Sequence, residues 1–399
     1  MVERRWHNQR LSAGGSGTLD VPTQLVDLHS SATALQTKGT FLALTVDSEY
    51  FLSPLQSLVG RAECWLQRIH PLSDGSAVLH LTSCQGYDMR EHLVVLDNGR
   101  CHVIHEPRQL AQAREECAED PARESRTQVV SFQIGDRVGL LLSDRWLWMF
   151  DPLHGDEAVE IVIDAPLPLW APESWPENVE AHSVVRCGTT VDHRVPIVLG
   201  HPAATHDYTA HWALLEVERE ARRAHWTQLD QQGRTATVRY ELNPNYKGVD
   251  GHEGTYLCDL AWLGDHLRVF SIGNSTHIGR VGMSYTTVLE ADANGGKPSL
   301  LRSLSEDCYG AFIDAAHVLL TPARNSGARK GKPALLEVAT GAEIELSLRG
   351  HSNYRPFAAR DAKVWLVGGG GTGAWSAWQQ ISLRDGEGKP GHIVVCNVA

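Results

Sequence analysis

His201, His206 and His211, with Asp207 beside the second of them, come nearest in residue type to a reaction centre in this chain. Imidazole and carboxylate groups are ligands for zinc and other transition metals. A spacing of five, however, matches neither one face of a helix nor the alternation of a strand, so the rings would converge only through loop geometry. With 20 histidines in the chain a local trio is unsurprising, and solvated loop histidines are the better reading. No metal and no cofactor is therefore expected. Residues 368–373, Gly-Gly-Gly-Gly-Thr-Gly, have the glycine content of a phosphate cradle, but no Lys-Ser/Thr pair follows and no helix opens after them. Arg324, Arg329, Lys330 and Lys332 form a basic loop that suits an acidic partner or a phosphate. Trp170 and Trp175, set among Pro166, Pro168, Pro172 and Pro176, suit the packing of an insertion, or the holding of a sugar or a Pro-rich peptide.

The composition narrows the classes further. An apolar content of 42% provides a core for 399 residues, and a formal charge of −12 with a pI near 5.9 repels polyanions, so nucleic acid is not an expected partner. No run approaches the roughly 20 apolar residues of a membrane span, and no membrane association is expected. Residues 1–10 carry charge without an apolar segment behind them, and Gly14-Gly15-Ser16-Gly17 is linker chemistry. Residues 1–20 are accordingly expected to be a flexible segment, with one domain over 21–399. The eight cysteines are scattered without paired metal-ligand spacing, which reads as buried free thiols in a reducing, cytoplasmic setting.

The elements that must position any site are strands. Six times an apolar strand, a turn carrying Asp and a second apolar strand are followed by another hairpin; the anchors are Asp74, Asp136, Asp192, Asp265, Asp314 and Asp361. The run from Leu260 through Asp265 to Phe270 is one example. Asn98-Gly99 between two apolar runs is a strong hairpin signal, and Glu343 to Leu348 alternates at period two. Ala213 to Val217 and Ala334 to Val338 are identical pentapeptides, each leading into a returning strand. In the last unit Trp378 to Leu383 is expected to return at Ile393 to Cys396.

Successive anchors lie 62, 56, 73, 49 and 47 residues apart, close to or above the roughly 40–50 of a propeller blade. Visible insertions account for the excess, among them a short helical one near 107–119. The spacing predicts an all-β fold, a single β-propeller of four-stranded antiparallel blades. Seven blades are favoured over six, because Phe41 to Thr45 and Tyr50 to Leu52 have the makings of a further blade. Stacking the small sheets around an axis buries both faces of each and leaves only short edges.

Gly350-His351, followed by Trp365 and then Trp378-Gln379, resembles one WD40 repeat, although Gln379 stands where that family has Asp. Only about the last fifty residues carry this likeness, so the chain resembles a divergent propeller protein, WD40-like in its last blade.

In such a fold all loops joining second and third strands share one face of the disc. That face would carry Arg90, His206, Tyr208, Arg280, Arg324 and Arg329, residues that bind partners well when held on a rigid scaffold. The leading expectation is a non-catalytic cytoplasmic interaction scaffold or sensor subunit, monomeric by itself, that docks a protein partner there. The alternatives are a metal-assisted hydrolase or lactonase using the central pocket, and a carbohydrate or small-ligand binder.

Overall fold

The computed structural model describes residues 19–20, 42–52, 55, 63–85, 88–97, 100–104, 106–119, 129–165, 183–200, 209–228, 236–237, 252–277, 280–292, 299–304, 308–312, 317–322, 334–347, 355–361, 363–368, 381–382 and 392–398. These residues form a β-propeller. Blade 1 runs through Glu63–Pro71, Ala77–Gln85, Asp88–Asp97 and Arg100–Ile104. Blade 2 comprises Val129–Ile134, Arg137–Leu142, Trp146–Asp151 and Gly155–Ile163, and blade 3 Ser183–Cys187, Arg194–Gly200, Thr209–Glu218 and Arg223–Gln228. Blade 4 comprises His252–Trp262, His266–His277, Arg280–Asp292 and Ser299–Leu304, and blade 5 Cys308–Phe312, His317–Pro322, Ala334–Glu337 and Glu343–Ser347.

Blade 6 departs from the expected connectivity. Its strands run in the order Arg355–Arg360, Lys363–Gly368, His392–Val398 and Leu42–Phe51, so the C-terminal strand is third and an N-terminal strand is outermost. The segment that suggested a seventh blade is thus the fourth strand of the sixth, and six blades are present among the described residues. Its apolar face has a ready neighbour: Tyr50 packs with Ile393 and Val395 in one cluster. Of the segment expected as the third strand, Ile381–Ser382 instead pairs with Leu66 and Trp65 on the inner edge of blade 1.

The first strands of neighbouring blades touch around a common axis, and the inner strand of blade 6 meets that of blade 1, which closes the ring. Between blades 3 and 4 the link is Thr189–Thr190, paired in parallel with Ala261 and Trp262. Outer edges are also joined: Val162 and Ile163 pair with Arg223 and Ala224, and Leu42 and Ala43 with Leu346 and Ser347. Such pairings cover edges that would otherwise template aggregation.

The apolar runs are nearly continuous because both faces of each blade are buried. In the C-terminal strand Ile393 and Val395 face blade 1, while Val394 and Cys396 face blade 5, as the two-residue period requires. The far end of the Phe132 ring packs against Gly139, its cross-strand partner, where an added Cβ would meet the ring at 2.4 Å. The helix Arg108–Glu119, here α1, seals the seam between blades 1 and 2. Its Leu110 and Ala113, three apart on one face, enter a cluster with Leu93, Val95, Leu140 and Trp148. Among the described residues no helix is long and apolar enough to cross a membrane, and Cys64, Cys101, Cys187 and Cys396 are buried free thiols.

Candidate functional site

Each blade's first strand ends on the face of the disc that carries the Asp turns, so residues just before each turn converge on the axis. There they leave a cavity of about 290 Å³. Blade 1 contributes Arg68, His70 and Pro71; blade 2 contributes Gln133 and Gly135. Gly188, Thr190 and Val191 come from the end of blade 3's first strand, Phe312 from blade 5, and Phe357 and Arg360 from blade 6. The two phenylalanines are almost wholly buried and form apolar wall, whereas Val191 is 65% exposed at the rim.

Three carbonyls at or beside the wall accept hydrogen bonds from lining side chains. Gln133 Nε2 donates to the carbonyls of Pro71 at 2.5 Å and Gly135 at 2.8 Å. Arg360 Nη1 donates to the same two carbonyls, each at 3.0 Å. Arg68 Nη2 donates to the carbonyl of Cys187, the residue before Gly188. None of the described lining residues is a carboxylate.

The anchor aspartates do more than make turns. Asp136 of blade 2 accepts from Ser73 N at 2.8 Å and Ser73 Oγ at 2.6 Å in blade 1, and from Arg360 Nη1 at 2.6 Å in blade 6. One carboxylate thus clamps three blades at the cavity mouth. Partial burial pushes Asp136 up, but the Ser73 bonds and the Arg360 charge outweigh it and hold the carboxyl below its usual range. Asp192 behaves alike: burial raises it, and the bidentate Arg194 outweighs that. Arg194 also donates to the Gly264 carbonyl at 2.7 Å and lies 5.1 Å from the centre of the Trp262 ring, tying blade 3 to blade 4. Asp74, by contrast, accepts from Ser76 within its own turn.

Behind the cavity a polar seam runs between blades 1 and 2. His70 Nε2 and Ser131 Oγ share a bond of 2.8 Å, and burial, with Arg68 and His80 nearby, holds His70 well below the usual histidine range, hence neutral. Further out, Glu91 accepts from His80 Nε2 at 2.8 Å, Thr82 Oγ1 at 2.6 Å and Arg114 Nη2 at 3.1 Å. Burial raises Glu91, and these partners together win, leaving the carboxyl lowered. Arg114 also reaches Glu106, so α1 is fastened to blade 1 by charge as well as by Leu110. With His80 and Glu91 almost wholly buried, the pairing offsets a desolvation cost more than it adds stability.

Of the residues expected at a binding face, Arg90 is exposed on the third strand of blade 1 and Arg280 opens the third strand of blade 4, opposite His277. His206, Tyr208, Arg324 and Arg329 lie outside the described residues, as do His201 and Asp207. His211 sits within a strand of blade 3, opposite Leu199. The cavity lies on the opposite face of the disc from the strand ends near Arg90 and Arg280. Arg68, Gln133, Thr190 and Arg360 were missed, although Gln133, Thr190 and Arg360 stand three, two and one residues before anchor aspartates.

No protein-family model matches the chain, and no curated protein matches it in sequence. Solved structures of similar course do exist. A protein of unknown function from Dyadobacter fermentans shares 10% identity with a TM-score of 0.44, over 90% of this chain and all of that one. A polysaccharide lyase shares 9% identity at 0.44, over 84% and 90% of the two chains. An alpha-L-arabinanase from Penicillium chrysogenum, complexed with arabinobiose, shares 11% identity at 0.44, over 90% and 97%. At such identities the likeness concerns the fold. The sequence-based expectation of a non-catalytic interaction scaffold is corrected: the similar structures include enzymes, so a propeller without a familiar motif is no ground for that reading.

Proposed function

We propose that this chain binds a small polar ligand, of the size of a simple saccharide, in the axial cavity on the Asp-turn face. The observation that carries the reading is the cavity itself, about 290 Å³, lined from five blades, with apolar walls and a few fixed polar groups from four of them. That combination is the usual form of a small-molecule site, and the volume stands at the lower end of the common range of about 300–1,000 Å³. A polymer chain would not enter a space of this size beyond one terminal unit. Binding is favoured over acid–base hydrolysis because the described lining residues supply no carboxylate pair, the usual machinery for cleaving a glycosidic bond.

The rim residue Val191 gives the test. Val191→Trp adds bulk at the mouth at an exposed position, where folding tolerates change. Ligand-detected NMR against a panel of mono- and disaccharides and small polar metabolites should find binders of the wild-type chain that the variant no longer holds. Binders that V191W retains undiminished would mean that the cavity is not their site.

A further inference from the structure

Resting on that reading, we infer which part of the wall selects the ligand: Gln133 and Arg360 together recognise a neutral group that offers a hydrogen-bond donor beside an acceptor, as two vicinal hydroxyls or a primary carboxamide do. The amide of Gln133 can stand only one way round. Its Nε2 donates to two carbonyls, Pro71 at 2.5 Å and Gly135 at 2.8 Å, and an oxygen in that place would be repelled by both. Oε1 is thereby turned away from them, and among the described residues it accepts no hydrogen bond.

Arg360 is divided in the same way. Nη1 donates to the carbonyls of Pro71 and Gly135, each at 3.0 Å, and to Asp136 at 2.6 Å, whereas Nη2 makes no hydrogen bond among the described residues. Because the amide and the guanidinium reach the same two carbonyls, they stand side by side on the cavity wall. Those carbonyls and Asp136 hold both groups in place beforehand, so little side-chain freedom is lost when a ligand arrives. Thr190, which also lines the cavity, turns its hydroxyl to Asp192 at 3.2 Å. The Gln133 oxygen and the Nη2 protons of Arg360 are what the pair still has to offer.

The charges favour a neutral ligand at this point of the wall. Asp136 at 2.6 Å and Asp361 at 3.4 Å answer the Arg360 guanidinium. A carboxylate set against the pair would face the Gln133 oxygen with no proton to give it. A hydroxyl or an amide N–H donates to that oxygen while the neighbouring ligand oxygen accepts from Nη2. An analogue lacking either member leaves one of these fixed polar groups unpaired, the strongest basis for discrimination that a pocket has.

Four probes built on one six-membered ring test this, titrated by ligand-detected NMR into the full chain: trans-1,2-cyclohexanediol, cyclohexanecarboxamide, cyclohexanol and cyclohexanecarboxylate. The diol, the carboxamide or both should bind about tenfold or more tightly than the other two, the gain of one further hydrogen bond. The tighter of the two names the group. Gln133→Met, which keeps the length of the side chain without Oε1, and Arg360→Lys, which keeps a charge for Asp136 without Nη2, should each remove that preference, with melting temperatures recorded to certify folding. Cyclohexanol or cyclohexanecarboxylate binding as tightly as the diol and the carboxamide would overturn the inference while leaving a small-ligand site intact. A preference that survives in folded Q133M and R360K would overturn the role given to the pair. Should neither variant fold, nuclear Overhauser contacts from the bound diol or carboxamide to the Gln133 side-chain amide of the wild-type chain replace them, and their absence counts against the pair. Absence of binding by all four probes counts against the inference; the small-ligand reading fails separately, if the wider panel yields no ligand that V191W loses.

Discussion

Replacing Asp136 by Ala should loosen the ring where blades 1, 2 and 6 meet, by an amount that the geometry bounds. The carboxylate accepts two bonds from Ser73 and one from Arg360, and Asp136 and Arg360 are each about a quarter exposed, at 27% and 26%. The Ser73 groups are near water and regain hydrogen bonds on mutation, so each bond contributes about 1 kcal/mol net, and the partly screened ion pair adds less than about 1 kcal/mol. The sum is about 2–3 kcal/mol. An unfolding entropy of about 2.1 cal/mol/K per residue gives about 0.8 kcal/mol/K for 399 residues, so the melting temperature should fall by about 3 °C. Differential scanning calorimetry of D136A, R360A and the double variant reads both the shift and the coupling. Effects of D136A and R360A that add within about 0.3–0.5 kcal/mol would refute the clamp, because residues sharing a bond should not be independent.

Asp361→Asn is the control. That carboxylate is 76% exposed, 3.4 Å from the same guanidinium, and Asn tolerates its φ of 51°, so the change should be near zero. The clamp also has a pH signature. A carboxyl whose folded value lies below its unfolded one contributes its stability above the unfolded value and loses it as pH falls through the folded value. The penalty of D136A should therefore be complete at neutral pH and shrink once pH falls below the ordinary Asp value of 3.8.

Two further outcomes follow from the fold. Deleting residues 392–399 should give insoluble protein, since it removes a third strand and exposes the edges of both Lys363–Gly368 and Leu42–Phe51; a soluble truncation with unchanged melting temperature would contradict the closure. Gly139→Ala should destabilise by about 1–3 kcal/mol in denaturant titration, because its Cβ would meet the fully buried Phe132 ring at 2.4 Å and the core must shift.

The double hairpins were legible in the sequence because their information is local. Alternation at period two and a short turn such as Asn98-Gly99 fix a pairing like Asp97 with Arg100 without reference to distant residues. The closure was not legible. Tyr50 and Ile393 are far apart in the chain, and nothing near Leu42–Phe51 distinguishes an outer strand of the last blade from the start of another. Trp378 to Leu383 has the residue types of a strand, and the two of its residues that are described, Ile381 and Ser382, pair with blade 1. The cavity was hidden for a related reason: Arg68, Gln133, Thr190 and Arg360 come from four blades, and no spacing gathers them. Loop polarity drew attention to the opposite face, although Gln133, Thr190 and Arg360 lie just ahead of the turns read from the sequence.

The most direct measurement of the central claim is a crystal structure of the chain soaked with the tightest ligand from the NMR panel. Ligand density in the axial cavity, in contact with Gln133 and Arg360 and against Phe357, is the predicted result. Density on the opposite face, beside Arg90 or Arg280, with the axial cavity free of ligand, would contradict the account.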